Sequence, residues 1–158
     1  MITKYRIFEN VDIQSIKNFA YEYAKDNHPG LNSYEDAVEE LDYFFNYEIP
    51  RFGEYIKLIR VLGANSKEDI DTDILGIHYL PEYNKEYIYD ESWYDKIGLD
   101  WEENNVYLVE VKTNVENVDW KETINNRLSY PREYEITLFN ENILNITKIS
   151  KINTKRIK

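Results

Sequence analysis

An α+β fold follows from three observations. Helical periodicity fills the first third of the chain, strand-like runs fill the rest, and the two do not alternate. Between residues 13 and 45 apolar side chains recur at i, i+3, i+4 and i+7. From Tyr55 onward they form short runs rich in β-branched residues, bounded by polar turns. Helices first and strands after predict N-terminal helices followed by a mostly antiparallel β core, and argue against an alternating parallel sheet. At 158 residues, 42% hydrophobic and 15% aromatic, the chain has the size and apolar content of one folded domain. The expected division is a helical part over about 1–53, a β-rich core over about 55–150 and a basic tail over about 151–158.

In chain order, Met1–Asn10 is short and mixed, a first strand or a loose arm. Ile13, Ile16, Phe19, Ala20, Tyr23 and Ala24 share one face of a helix that Asp12 can cap. His28-Pro29-Gly30 ends it, because proline and glycine break the helix. Ser33, with Asp36 three residues on, opens a second helix in the manner of a capping box. Its apolar stripe is Ala37, Val38, Leu41, Phe44 and Phe45. Its acidic side, Glu35, Asp36, Glu39, Glu40 and Asp42, reads as a solvated face. Ile49–Gly53 closes the helical part. Tyr55–Leu62 reads as a strand carrying one cation, Arg60. Gly63–Asp73 is a polar loop, and Gly76–Leu80 is a short strand ended by Pro81. Residues 82–100 are aromatic and charged without a clean period. Val106–Lys112 is a strand, and Asp119–Asn126 is a short helix with Asp119 at its N-cap. After the turn at Tyr130–Arg132, a Glu133–Phe139 strand and an Ile143–Ile152 strand are expected to pair as a hairpin.

Charge narrows the partners. The net charge is −11, with 19 basic and 30 acidic residues. Five of the basic residues (Lys148, Lys151, Lys155, Arg156, Lys158) and none of the acidic ones lie in residues 145–158, so the remainder carries −16. Such a body repels nucleic acid and anionic membrane. An anionic ligand must be held by local cations against that field. The absence of cysteine excludes disulfides, thiolate metal sites and cysteine nucleophiles, and fits a reducing cytoplasm. With two histidines far apart in sequence, no metal site is expected. No apolar run near 18 residues and no basic-then-apolar start is present, so neither a membrane span nor a signal peptide is read.

The strongest chemical lead is Glu133 and Glu135, one residue apart behind Pro131. In an extended chain residues i and i+2 share a face, so both carboxylates project into one space. Two like charges held together cost free energy unless a site uses them. Arg60 adds a guanidinium able to grip a phosphate with two parallel hydrogen bonds. A carboxylate beside a sugar stabilises an oxocarbenium-like transition state, and a second one orients or deprotonates a nucleophile. Together these groups describe cleavage of a nucleotide's glycosidic bond.

Glu133-Tyr134-Glu135-Ile136-Thr137-Leu138, followed by a polar turn and Ile143–Ile149, resembles the E-x-E segment of mono-ADP-ribosyltransferases of the bacterial-toxin type. Ile56–Leu62 with its single Arg60 resembles that family's first motif, and Gly76-Ile77-His78-Tyr79 stands in the place of the second. The resemblance covers about residues 55–150 and implies the family's split-sheet fold. It implies that NAD is the substrate, without a metal, and that Arg60, Gly76, His78 and Tyr79 bind it. It gives Glu135 the nicotinamide-ribose 2′-hydroxyl and the cationic transition state. Glu133 receives the acceptor side chain, arginine where a glutamate stands there. Tyr130 and Arg132 fall in the acceptor-recognition loop, and the acceptor is a host protein. Many members carry Ser-Thr-Ser on the middle strand, where this chain has His78-Tyr79-Leu80. Tyr79 either stacks on nicotinamide or packs in the core; His78 is either a ligand contact or a surface residue.

Two other readings use the same sequence. An NAD glycohydrolase, or a catalytically silent member, would share the residues. A non-enzymatic acidic inhibitor or immunity protein, mimicking DNA or blocking a basic protein, fits the charge and the 15 tyrosines. The Lys, Asn and Ile bias fits an AT-rich genome such as that of a phage or a low-GC bacterium.

Overall fold

A computed structural model describes residues 12–52, 55–73, 75–82, 105–131, 134–140 and 145–152. Helix α1 spans Ile13–Asp26 and α2 spans Tyr34–Tyr43. Strands β1 (Ile56–Ala64), β2 (His78–Pro81) and β3 (Asn105–Thr113) follow, then helix α3 (Trp120–Ser129) and strands β4 (Ile136–Thr137) and β5 (Asn145–Ile152). The five strands form one sheet in the order β4-β2-β1-β3-β5, and every pairing is antiparallel. The chain is α+β. No helix among the described residues is long and apolar enough to cross a membrane.

The helix starts are built as their sequences dictate. The Asp12 carboxylate accepts from the Gln14 and Ser15 amides at 3.1 and 3.2 Å, and the Ser33 hydroxyl accepts from the Asp36 amide at 3.1 Å. The Asp119 carboxylate accepts from the Glu122 amide at 3.1 Å. Each bond satisfies an amide that the first turn leaves without a partner. After Tyr43 the helix widens into a π turn, Phe44–Glu48, which brings Phe44, Phe45 and Glu48 all inward.

Alternation along the strands makes two cores. Ile56, Leu58, Tyr79, Val109, Val111, Ile136 and Leu138 pack against α1, α2 and α3 through Ala20, Ala24, Ala37, Leu41, Ile124 and Leu128. On the opposite face Ile59, Val61, Leu80, Val106, Leu108 and Ile152 form a second cluster, with Tyr134 packed against it. The turn after α1 docks on the end of α3, where the Gly30 amide donates to the Leu128 carbonyl at 2.9 Å. A Cβ on Gly30 would stand 2.2 Å from the Ser129 carbonyl oxygen. Gly30→Ala is therefore expected to lower stability by about 1–3 kcal/mol, since neither backbone can yield cheaply. Urea unfolding reads this directly, and an unchanged midpoint would mean that this turn does not pack on α3.

Three expectations are corrected. Of the described residues in the Glu133–Phe139 segment only Ile136–Thr137 is strand, and Tyr134, at φ 55°, leaves the extended conformation on which a shared face for positions 133 and 135 depends. The Glu133–Phe139 and Ile143–Ile152 segments do not form a hairpin; β4 and β5 lie at opposite edges of the sheet. The reason is that both sides of β4 are taken. On one side it pairs with β2. On the other the Asp119 amide donates to the Thr137 carbonyl and the Phe139 amide to the Asn117 carbonyl, with Val118 bridging Leu138. β5 finds its partner in β3, along Val106–Lys112. Glu40, expected on a solvated face, turns toward α3 and pairs with Arg127. The expectations for Met1–Asn10, Gly53, residues 83–100, Arg132, Glu133 and the tail beyond Ile152 lie outside the described residues.

Candidate functional site

The sheet is split beside Arg60. β2 pairs with β1 through Leu58↔Pro81 and Ile59↔Leu80 only, then turns to β4 through Tyr79↔Ile136 and His78↔Thr137. The next pair in the first register, Arg60 and Tyr79, falls outside the ladder. The Arg60 side chain fills in: its Nη1 donates to the His78 carbonyl oxygen at 2.7 Å, and its guanidinium lies 5.9 Å from the Tyr79 ring centroid. A backbone acceptor left open by the split is thus satisfied by a side chain. Arg60 is half-buried, and no carboxylate pairs with it among the described residues. Among the described residues it is thus a cation without a carboxylate partner, able to grip an anion with paired hydrogen bonds.

Gly76 lies beside this guanidinium. Its φ is +86°, in the left-handed region that favours glycine, and a Cβ there would meet the Arg60 guanidinium at 3.4 Å. Its carbonyl accepts from the Tyr79 hydroxyl at 3.0 Å. Gly76→Ala is expected to cost about 1–2 kcal/mol, the penalty of a Cβ in a left-handed backbone, while Arg60 stays in place, since the added Cβ meets it only at ordinary van der Waals distance. Thermal unfolding measures the loss; an unchanged midpoint would mean that the backbone at Gly76 is not held at positive φ.

Tyr79 is in the core, 2% exposed, with its hydroxyl engaged and its ring beside Arg60. It braces the cation instead of offering a free face. His78 points the other way, with its side chain 47% exposed. Its Nδ1 lies 3.4 Å from Glu135 Oε2 and 3.3 Å from Thr137 Oγ1. Glu135, 29% exposed at its side chain, stands just before β4. Residues that the sequence suggested from three separate segments are therefore linked through β2, but not in one cleft: Arg60 from β1 reaches the His78 backbone, Gly76 and Tyr79 flank it, and the His78 ring reaches Glu135 beside β4. Alternation puts Arg60 and Tyr79 on the helical face, and His78, Glu135 and Thr137 on the other. Among the described contacts none brings the Arg60 guanidinium to Glu135, and β2 lies between them. Tyr130 is exposed, and its amide caps α3 by donating to the Asn126 carbonyl at 2.7 Å. Arg132 and Glu133 lie outside the described residues, so this geometry is built without them. No group of residues able to hold a metal occurs among the described residues.

Sequence reasoning missed the supports of this site. The Thr123 hydroxyl accepts from the Thr137 amide at 3.0 Å, and Asn126 Nδ2 donates to Thr137 Oγ1 at 3.0 Å, so α3 fixes β4 from the side. It also missed Arg127, 1% exposed, which donates to Glu40 Oε1 at 3.0 Å and to Glu48 Oε2. A signal was present: Trp120, Thr123, Ile124, Arg127 and Leu128 follow one helical face, so a cation stands on the buried stripe and demands partners.

Comparison with protein-family models, curated proteins and solved structures finds no match to this chain.

Proposed function

We propose that the chain is an NAD-dependent mono-ADP-ribosyltransferase acting on a protein side chain, arginine being the acceptor that a glutamate at position 133 suits. The observation that carries this reading is the contact chain through His78: Arg60 of β1 donates to the His78 carbonyl, and the His78 ring lies 3.4 Å from Glu135 just before β4.

In this reading Arg60 holds the pyrophosphate of NAD with charge-assisted hydrogen bonds. Glu135 accepts from the ribose 2′-hydroxyl and stabilises positive charge growing on the sugar. The bond from the anomeric carbon to nicotinamide breaks, and its electron pair leaves on the ring nitrogen. An acceptor nitrogen then bonds to that carbon and gives up a proton. His78, at Nδ1, fixes the Glu135 carboxylate on the side away from Arg60.

Calorimetry tests the binding half. The wild-type chain is expected to bind NAD, and Arg60→Ala to weaken binding by roughly 10- to 100-fold, the worth of hydrogen bonds to a charged group. No NAD binding by the wild type, with tight association to a basic protein, would overturn the reading and favour the acidic inhibitor.

A further inference from the structure

The geometry points to Arg127 as a positioning residue for Glu135, acting through the ring of Tyr134. This rests on reading Glu135 as the reacting carboxylate.

Arg127 is locked. Nη1 is held by Glu40 of α2 and Nη2 by Glu48 of the π turn, and the side chain is fully buried. A guanidinium tied along its Nη edges keeps its flat face in a fixed place. Two rings use it: Phe44, with its centroid 4.9 Å from Arg127 Cζ, and Tyr134, at 5.1 Å. Phe44 belongs to the same π turn as Glu48, so Tyr134 alone is recruited from the strand side.

Tyr134 is the only non-glycine described residue with positive φ, at 55°. A bulky residue enters the left-handed region only where its surroundings hold it there. Arg127 on one side and the apolar cluster around Ile59 and Leu80 on the other are among those surroundings. The next residue is Glu135. Two positions beyond it, Thr137 is fixed by Thr123 and Asn126 of the same helix. Glu135 thus sits between two clamps that both belong to α3. The left-handed turn at Tyr134 sets the direction in which its carboxylate leaves the backbone, toward His78. Without the Arg127 face, Tyr134 relaxes to negative φ and Glu135 swings away from the split.

Tyr134 variants test this while the buried ion cluster stays whole. Tyr134→Phe keeps the ring and Tyr134→Leu removes it. One readout is nicotinamide release from NAD. The other is the NMR contact between the His78 ring and the Glu135 side chain, which requires no activity. Tyr134→Phe is expected to keep kcat within about twofold. Tyr134→Leu is expected to lower kcat by about 10- to 100-fold, the usual effect of a small misplacement of a reacting group, to leave KM within about twofold and to lose the NMR contact. A Tyr134→Leu protein that keeps both kcat and the contact overturns the proposal, as does one that loses activity with the contact intact. Should the wild type release no nicotinamide, the transferase reading fails, and the NMR contact alone decides the role of Arg127 and Tyr134.

Discussion

Arg127→Met is expected to destabilise the protein by about 3–5 kcal/mol, because it removes the buried cation with which Glu40 and Glu48 both pair. Glu48 suffers most, since its side chain is 2% exposed, whereas Glu40 at 22% still reaches water. A charge taken out of water costs several kcal/mol unless geometry and hydrogen bonds offset it, and here Arg127 supplies both. Replacing all three residues with apolar side chains of similar volume is expected to recover most of the loss, since a buried ion cluster contributes little beyond its own desolvation cost. Urea unfolding of the single and triple variants measures this. A loss under about 1 kcal/mol for Arg127→Met, the range of an exposed ion pair, would mean that the cluster is hydrated.

Glu135→Gln is expected to lower nicotinamide release by about 10²–10³-fold, the usual cost of deleting one electrostatic stabiliser of a transition state. The amide keeps the shape and an acceptor oxygen but not the negative charge, so NAD affinity should change little. Stability should also hold, because Glu135 is partly exposed and its neighbour His78 is more so. The expected signature is a fall in kcat at nearly constant KM. A matched rise in KM at constant kcat would instead make Glu135 a ground-state binding residue.

Local features of the fold were legible in the sequence. Asp12, Ser33 and Asp119 cap helices because a short polar side chain before an apolar stripe answers the unpaired amides of the first turn. His28-Pro29-Gly30 stops α1, and β1 and β3 sit within two residues of their apolar runs. Pairing was not legible. Two strands adjacent in sequence suggest a hairpin, yet β4 takes its partners from β2 and from Asn117–Asp119, which leaves no edge for β5. Nothing in the local pattern of residues 133–152 encodes that competition. Arg127 was legible as a cation on the buried stripe of α3, but its partners Glu40 and Glu48 were not, because they lie 87 and 79 residues earlier in the chain and only the packing of α2 and the π turn on α3 brings them to it. Of the candidate site, Arg60, Gly76, His78, Tyr79 and Glu135 were named from sequence. The contacts that link them through β2, their division between two faces of the sheet, and the burial of Tyr79 needed the fold.

The transferase reading stands or falls most directly on one incubation: NAD labelled on its adenylate phosphate, a bacterial lysate, and either the wild-type chain or Glu135→Gln. Label on a lysate protein with the wild type alone is the expected result. No transfer by the wild type, or equal transfer by both, would contradict it.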